Sequence, residues 1–144
     1  MDQFNFIGVK KMIHQYEYLV CYADTDAGQV VHHARYYTMF ERARTDLMLS
    51  LGLMTSDLQK MGFSGFVVAD SQIRYKRSLH LEDKVLIKTY IDEISGSRVF
   101  FHHRIEDGDK LITDCKINLA LINMEAKPVI VPESIAELLS KYKI

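Results

Sequence analysis

The chain has 144 residues, 48% of them hydrophobic and 26% charged, which is the composition of a globular domain rather than of a disordered segment. Its 18 basic and 19 acidic side chains leave a net charge of -1, which argues against nucleic-acid binding driven by bulk charge. No apolar run reaches the ~18 residues of a membrane span, and Cys21 and Cys115 match no metal-binding spacing. We therefore expect a cytoplasmic protein with reduced thiols, made of one domain over residues 1–144 with its core over about 12–131.

The first predicted elements are a strand and a long helix. Aromatic and β-branched residues alternate with polar ones over residues 12–22, which predicts a strand, and a turn rich in Asp and Gly follows at 23–29. Over residues 34–51 the apolar residues recur at helical spacing, and Gly52 follows as a stop signal. Arg42 and Asp46 are four residues apart and can pair across one turn of this helix. The charged residues predicted on its other faces are Glu41, Arg42, Arg44 and Asp46.

Four strands and a short helix complete the chain. Alternating patterns predict strands over residues 66–76, 85–92, 99–105 and 111–121, with turns at Ser95-Gly96 and Asp107-Gly108. Pro132 then introduces a short amphipathic helix. Strands segregated from one long helix indicate an α+β fold, in which a five-stranded antiparallel sheet wraps around that helix. Such a sheet leaves open edges, which favours pairing between subunits.

The segment between the first strand and the long helix carries the candidate chemistry. Asp24 and Asp26 lie in the predicted turn, Gly28 allows a tight backbone path, and His32 and His33 come just before the helix. The helix start adds unpaired N–H groups and the positive end of the helix dipole. A carboxylate, an imidazole and N–H donors are the groups needed to hydrolyse an activated carbonyl, and they require no metal.

Each of these residues also has a simpler structural interpretation. Asp24 and Asp26 are common turn and cap residues, and His33 suits a surface or capping position equally well. His32 adjoins His33 and is expected to point elsewhere. Cys21 is open to two interpretations, a nucleophile or, as we favour, a small buried hydrophobic residue.

A longer motif adds a family resemblance. The pattern Tyr22-x-Asp24-Thr25-Asp26-x-Gly28-x-Val30-x-x-His33-x-x-Tyr36, continued by Phe40-Glu41-Arg42-Ala43-Arg44, resembles the signature of the hotdog-fold acyl-CoA thioesterases. It is similar in particular to the 4-hydroxybenzoyl-CoA thioesterase-like branch, including the bacterial acyl-CoA thioesterases associated with the Tol-Pal system. The likeness covers about residues 12–122. It implies the hotdog fold and hydrolysis of an acyl-CoA to free acid and CoA, with no cofactor.

The resemblance also implies a role for each residue of the motif. Asp26 is implied to be the catalytic carboxylate, acting as nucleophile or general base, and His33 is implied to be a catalytic orienting group. The backbone N–H groups near His32 and His33 are expected to polarise the carbonyl, while Gly28 shapes the turn. The family forms homodimers or homotetramers with sites at the subunit interface. The expected substrate-binding residues of the motif are Tyr22, Gly28, His32 and Tyr36.

Basic residues outside the motif are expected to contact the CoA phosphates. Some relatives carry a basic cluster before the fourth strand, but that turn reads Ser95-Gly96-Ser97-Arg98 in this chain, so only Arg98 remains there. Lys76 and Arg77, at the end of the second strand, are the other candidates.

Two alternative functions stay open beside hydrolysis. A hydratase or dehydratase acting on acyl thioesters also uses an Asp and a His, although the Asp-Thr-Asp turn before the helix favours hydrolysis. A non-catalytic module that binds acyl-CoA or a protein partner is the other alternative, and the presence of both Asp26 and His33 argues against it.

Overall fold

The computed structural model describes residues 5–6 and 9–144. None of the helices in these residues is long and apolar enough to cross a membrane. Short 3₁₀ turns lie at Tyr22–Asp24 and Ser140–Tyr142. The helices are α1 (Arg35–Leu51), α2 (Thr55–Lys60) and α3 (Glu133–Leu139). The strands are β1 (Asn5–Phe6), β2 (Val9–Lys10), β3 (His14–Leu19), β4 (Phe63–Tyr75), β5 (Lys84–Ser95), β6 (Arg98–Asp107) and β7 (Lys110–Asn123).

Five strands form one antiparallel sheet in the order β3-β5-β6-β7-β4, and β1 and β2 pair separately. The hairpins β5–β6 and β6–β7 turn at Gly96 and Gly108, both with φ of 61°. This left-handed backbone favours glycine and confirms the two predicted turns. Within the described residues β3 and β4 each pair with one neighbour, so they are the two edges of the sheet.

The apolar stripe of α1 packs on the sheet, as the helical spacing predicted. Gly52 ends this helix in the left-handed conformation, with φ of 71°, which confirms the predicted stop signal. Strands and helix bury their apolar side chains in one core, so the α+β hotdog fold is confirmed. The buried residues include Tyr36, Met39, Phe40, Ala43 and Leu47 of α1 and Ile87, Ile91, Phe101, Ile105, Cys115 and Ile117 of the sheet.

The charged residues of α1 depart from the prediction. Arg44 is only 9% exposed and extends toward β6, where its Nη1 lies 3.1 Å from Nε2 of His103. Asp46 meets β3 instead of Arg42, because Nε2 of the buried His14 lies 2.8 Å from its Oδ2. The predicted polar position of Arg44 and the predicted Arg42–Asp46 pair are therefore wrong. In both cases a histidine on the sheet attracts the side chain across the helix–sheet contact.

The ends of the chain also differ from the sequence pattern. The strand predicted over 12–22 ends at Leu19, and the six-residue helix α2 was not predicted. The sequence signal for α2 is Thr-Ser-Asp at its start, where the Asp57 carboxylate accepts the Met54 N–H at 3.0 Å. Helix α3 begins directly after Pro132, as predicted. Its side chains and those of the turn after it extend the core beyond residue 131: Ile135, Leu139 and Tyr142.

Candidate active site

A buried carboxylate fixes the loop between β3 and α1. Asp24 is 1% exposed and accepts hydrogen bonds from the Tyr18 hydroxyl at 2.8 and 2.9 Å, the Cys21 N–H at 3.0 Å and the Arg35 guanidinium at 3.0 and 3.2 Å. Burial raises its pKa, but these hydrogen bonds and the Arg35 charge outweigh burial and hold the pKa of Asp24 below its ordinary value. Since the Cys21 bond draws the chain into a 3₁₀ turn, it also explains why β3 ends early.

Asp26 opens a tight turn at the tip of this loop. Its N–H donates to the Val30 carbonyl at 3.0 Å, and the Gln29 N–H donates to the Asp26 carbonyl at 2.9 Å. The side chain joins the turn through Oδ1, which accepts the Gly28 N–H at 2.9 Å. A Cβ at Gly28 would lie 3.4 Å from that Oδ1, so a side chain there would contact the carboxylate.

The other carboxylate oxygen of Asp26 takes no part in the turn. The residue is exposed, and Oδ2 makes no hydrogen bond within the part of the chain that the structure describes. The turn therefore orients the carboxylate through Oδ1 and leaves Oδ2 open to solvent. Asp26 thus fits both interpretations of the sequence, a turn-forming residue and a reactive carboxylate.

The N–H groups at the start of α1 are mostly used within the chain. The His32 N–H donates to the Asp24 carbonyl at 3.0 Å, and the Arg35 N–H donates to the His32 carbonyl at 2.9 Å. The Ala34 N–H donates to Nδ1 of His32 at 3.2 Å. Among residues 32–35, only the His33 N–H has no hydrogen bond to a described residue. The expectation that the His32 N–H polarises a carbonyl is therefore corrected, and the His33 N–H is the available donor.

The exposed imidazole of His33 lies against the end of β4. It stacks on Tyr75 with ring centroids 4.5 Å apart and planes 20° apart, and the Tyr75 hydroxyl donates to the His33 carbonyl at 3.3 Å. Val30, which pairs with Asp26, precedes His33 by three residues, at most about 10 Å of chain. The loop therefore places Asp26 and His33 on neighbouring parts of one surface.

Two residues expected at the substrate occupy opposite environments. Tyr22 is 73% exposed beside the Asp26 turn. Tyr36 is 2% exposed, its ring meets Tyr75 edge-on at 5.3 Å, and its hydroxyl accepts the Leu79 N–H at 3.3 Å. In the single chain Tyr36 is thus a core residue that supports Tyr75 rather than a residue of the surface.

Cys21 does not take the buried position favoured from the sequence. The residue is exposed, and its Sγ lies 3.4 Å from the Leu19 carbonyl oxygen. It lies outside the core because the bond from its N–H to Asp24 directs the chain into the 3₁₀ turn. Within residues 5–6 and 9–144, no group of three or more His, Cys, Asp or Glu is arranged to hold a metal ion.

Two of the three basic candidates lie beside the His33 surface. Lys76 and Arg77 directly follow Tyr75, and both of their N–H groups donate to the Ile112 carbonyl, at 2.9 and 3.1 Å. Their side chains are exposed and border a shallow groove together with Lys110 and one acidic residue, Asp109. A cationic surface therefore begins one residue after the tyrosine on which His33 stacks.

The third basic candidate lies at the other end of the sheet. Tyr75 pairs across the sheet with Thr113 of β7, and Thr113 pairs in turn with Ile105 of β6. Arg98 lies seven residues from Ile105 along β6, a distance of about 23 Å. Its Nη1 donates to Oδ1 of Asn118 at 3.0 Å. Within one chain, Arg98 is therefore separated from Lys76 and Arg77.

The comparison with known proteins decides the family. The sequence profile of the thioesterase-like superfamily matches residues 20–139, a span that contains the Asp26 turn, the start of α1 and the end of β4.

The chain belongs to the thioesterase-like superfamily.

Individual relatives of the chain support the family match. The acyl-CoA thioesterase YbgC of Haemophilus influenzae is 32% identical over 117 residues, which cover 81% of this chain and 86% of that protein. The acyl-CoA thioester hydrolase YbgC of Escherichia coli O6:H1 is 31% identical over 118 residues, 81% of this chain and 87% of that protein. The structure of the DHNA-CoA thioesterase from Staphylococcus aureus superimposes with a TM-score of 0.78 and 29% identity, covering 90% of this chain and 88% of that one. The predicted family and enzyme class, a thioester hydrolase, are confirmed.

The sequence did not predict that Tyr75 stacks on His33. The residue fits the alternating pattern of β4, and nothing in that pattern marks it as a partner of His33, which lies 42 residues earlier. The only local signal is its position just before two basic residues at the end of a strand.

Proposed function

We propose that this thioesterase hydrolyses an acyl-CoA to the free acid and CoA, with Asp26 as the catalytic carboxylate. The observation that carries the proposal is the oriented Asp26 side chain, held at Oδ1 by the Gly28 N–H while Oδ2 faces solvent. A positioned carboxylate is suited to attack an activated carbonyl or to take a proton from water. The names of the relatives, acyl-CoA thioesterase and acyl-CoA thioester hydrolase, support an acyl-CoA substrate.

Two routes lead from this carboxylate to the same products. In the nucleophilic route, Oδ2 bonds to the thioester carbon, the CoA thiolate leaves, and water then hydrolyses the resulting anhydride. In the general-base route, Oδ2 takes a proton from water, whose oxygen attacks the thioester carbon as the thiolate leaves. Both routes place negative charge on the carbonyl oxygen, and the available His33 N–H at the helix start is suited to stabilise it. The His33 imidazole then orients the water or the carbonyl.

Thiol release from a panel of acyl-CoA esters tests the proposed reaction. We expect one CoA thiol for each thioester consumed, with saturation in substrate concentration. An enoyl-CoA in the panel separates the other reaction class, because hydration removes the conjugated absorbance without releasing thiol. Saturable binding of acyl-CoA without any thiol release would instead support a non-catalytic module.

His33→Ala is expected to lower kcat about tenfold or more, because it removes the orienting imidazole and keeps the backbone N–H. The ring is exposed and stacks on Tyr75 at the surface, so the melting temperature should change little. Thiol release measures the rate, and a thermal melt of the same sample measures the stability. Tyr75→Phe, which keeps a ring beneath His33, is the matched control, and an unaltered kcat would exclude His33 from catalysis.

We also assign the CoA phosphates to Lys76 and Arg77, because their side chains lie next to the His33 surface. The double variant Lys76→Ala/Arg77→Ala should raise KM for acyl-CoA about 5- to 30-fold, since each exposed charge contact contributes about 1 kcal/mol. The same acyl group on N-acetylcysteamine carries no phosphate, so its KM should stay unchanged. A larger effect of Arg98→Ala on KM for acyl-CoA would move the phosphate site to the other end of the sheet.

The active unit is proposed to be a homodimer joined along β4. This strand has 13 residues and no described strand pairs with its outer side, where Val67 and Val68 are 44% and 55% exposed. A long, exposed apolar edge is suited to pair with a second copy. Asp26 and His33 are open to solvent in the single chain, and His33 packs on the end of this same strand. A partner paired along β4 would therefore help to enclose the site.

A further inference from the structure

A cavity of about 300 Å³ lies between α1, α2 and the sheet, away from Asp26 and His33. Arg44 and Met48 of α1, Phe66 and Val68 of β4 and Phe101 of β6 contribute to its walls. Because Val68 is 55% exposed at the edge of the sheet, the cavity is reached from the free side of β4. Its volume is within the range of small-molecule sites.

Arg44 is held in this cavity by a buried histidine. Its Nη1 lies 3.1 Å from Nε2 of His103, and Nδ1 of His103 lies 2.8 Å from the Thr89 hydroxyl. Burial and the nearby Arg44 charge lower the pKa of His103 well below 6.5, so the imidazole is neutral. Nε2 therefore accepts the Arg44 hydrogen bond while Nδ1–H donates to Thr89. This contact fixes the guanidinium through a neutral partner and supplies no negative charge to it.

No carboxylate neutralises Arg44 at close range. In residues 5–6 and 9–144, no ion pair within 4.0 Å involves its guanidinium. Glu41 also lines the cavity, but its side chain is exposed, so solvent screens its charge. Burial lowers the pKa of Arg44 and the Glu41 charge offsets part of this effect, and a guanidinium keeps its proton in proteins. A buried cation without a paired anion is costly, and an anionic ligand group is the natural complement.

We propose that this cavity binds the acyl group of the substrate and that Arg44 selects acyl groups ending in a carboxylate. The inference rests on the proposed thioesterase function and deepens it. A carboxylate accepts two parallel hydrogen bonds from a guanidinium, a geometry that an alkyl end cannot match. Arg44 is thus a specificity-determining residue, distinct from the residues that act on the thioester.

We assign the cavity to the Asp26 site of the other subunit. Within one chain Arg44 lies nine residues from the start of α1, about 14 Å along the helix, and Val68 lies about 23 Å from Tyr75 along β4, so both are farther from the His33 surface of their own chain than a short acyl group extends. If two β4 strands pair antiparallel about Ala69, the midpoint of the strand, the partner's Tyr75 lies opposite Phe63. Phe66, at the cavity, is only three residues from Phe63, about 10 Å.

The test compares acyl-CoA pairs that differ in their far end: succinyl with butyryl, glutaryl with pentanoyl, and adipoyl with hexanoyl. For at least one pair the wild-type protein should show kcat/KM at least about tenfold higher for the carboxylated member. Arg44→Met should lower that ratio about 10- to 100-fold, and Arg44→Lys, which keeps the charge, should retain part of it. Because the ratio uses one preparation for both substrates, it is insensitive to a loss of folded protein. Glu41→Gln should raise the ratio, since it removes a carboxylate at the same cavity.

A mixed dimer tests the assignment between subunits. Chains carrying Asp26→Asn and Arg44→Met, with different affinity tags, are co-expressed and purified through both tags. The one site with an intact Asp26 then faces the intact Arg44 of the other chain, so the wild-type preference should persist. Loss of the preference would show that each chain uses its own cavity and would overturn the arrangement, as would a protein that stays monomeric.

The remaining outcomes separate the two proposals. No thiol release from any of the six substrates would overturn the proposed function and the inference with it. Release without a preference for the carboxylated member, or a preference that survives Arg44→Met, would overturn the inference alone.

Discussion

Asp26→Asn is expected to lower kcat/KM for acyl-CoA by about 10²- to 10⁴-fold and to leave the melting temperature close to that of the parent. The asparagine side chain keeps an oxygen that accepts the Gly28 N–H, so the turn retains its hydrogen bond. It loses the negative charge and replaces the solvent-facing Oδ2 with an amide nitrogen, which neither attacks a carbonyl nor takes a proton from water. Thiol release and a thermal melt on the same sample measure the two effects.

The matched control for this variant is Asp92→Asn, which removes one exposed carboxylate from β5 and changes the net charge equally. The control should hydrolyse acyl-CoA at the parent rate. If Asp26→Asn also keeps the parent rate, Asp26 is only a turn residue and the reactive carboxylate lies elsewhere. Asp26 would then have only the turn-forming role that its hydrogen bond to the Gly28 N–H indicates.

The sequence predicts those parts of the fold that local patterns determine. The apolar stripe of α1 and the stop at Gly52 are both encoded within neighbouring residues, as are the turns at Gly96 and Gly108. Arg44 could not be placed in this way, because a charged residue between helical apolar positions is typical of a solvent-exposed face. Its burial depends on His103, which lies 59 residues away in the chain and accepts its hydrogen bond.

In the candidate site, too, the features set by neighbouring residues were predictable and those set by contacts distant in sequence were not. The Asp26 turn was predicted because Asp and Gly within three residues favour a tight turn, and the catalytic role proposed for Asp26 rests on the motif. The stacking of His33 on Tyr75 joins the helix start to the end of β4 and has no local signature. The hydrogen bond from the His32 N–H to the Asp24 carbonyl could not be predicted either, because it depends on how the loop folds back on itself.

Asp24→Asn is expected to give the opposite result from Asp26→Asn, a large loss of stability with a smaller loss of rate per folded molecule. The Asp24 carboxylate is buried and accepts bonds from Tyr18, Cys21 and Arg35, and an amide offers only one acceptor oxygen to these donors. Breaking such a pair costs about 2–4 kcal/mol when one partner, as Arg35 here, still reaches solvent. Urea unfolding at neutral pH measures this difference.

The stability difference between parent and Asp24→Asn should depend on pH in one direction. The pKa of Asp24 is held below its ordinary value of 3.8, so the folded protein binds the proton less tightly than the unfolded chain. The stabilisation from the carboxylate is therefore complete above the ordinary pKa and is lost as the pH falls through the folded value. Urea midpoints of the two proteins should thus converge below about pH 4.

A variant as stable as the parent at neutral pH would show that Asp24 does not hold the loop. A rate per folded molecule that falls as far as that of Asp26→Asn would place Asp24 in the chemistry, because its backbone carbonyl still holds the His32 N–H in the variant.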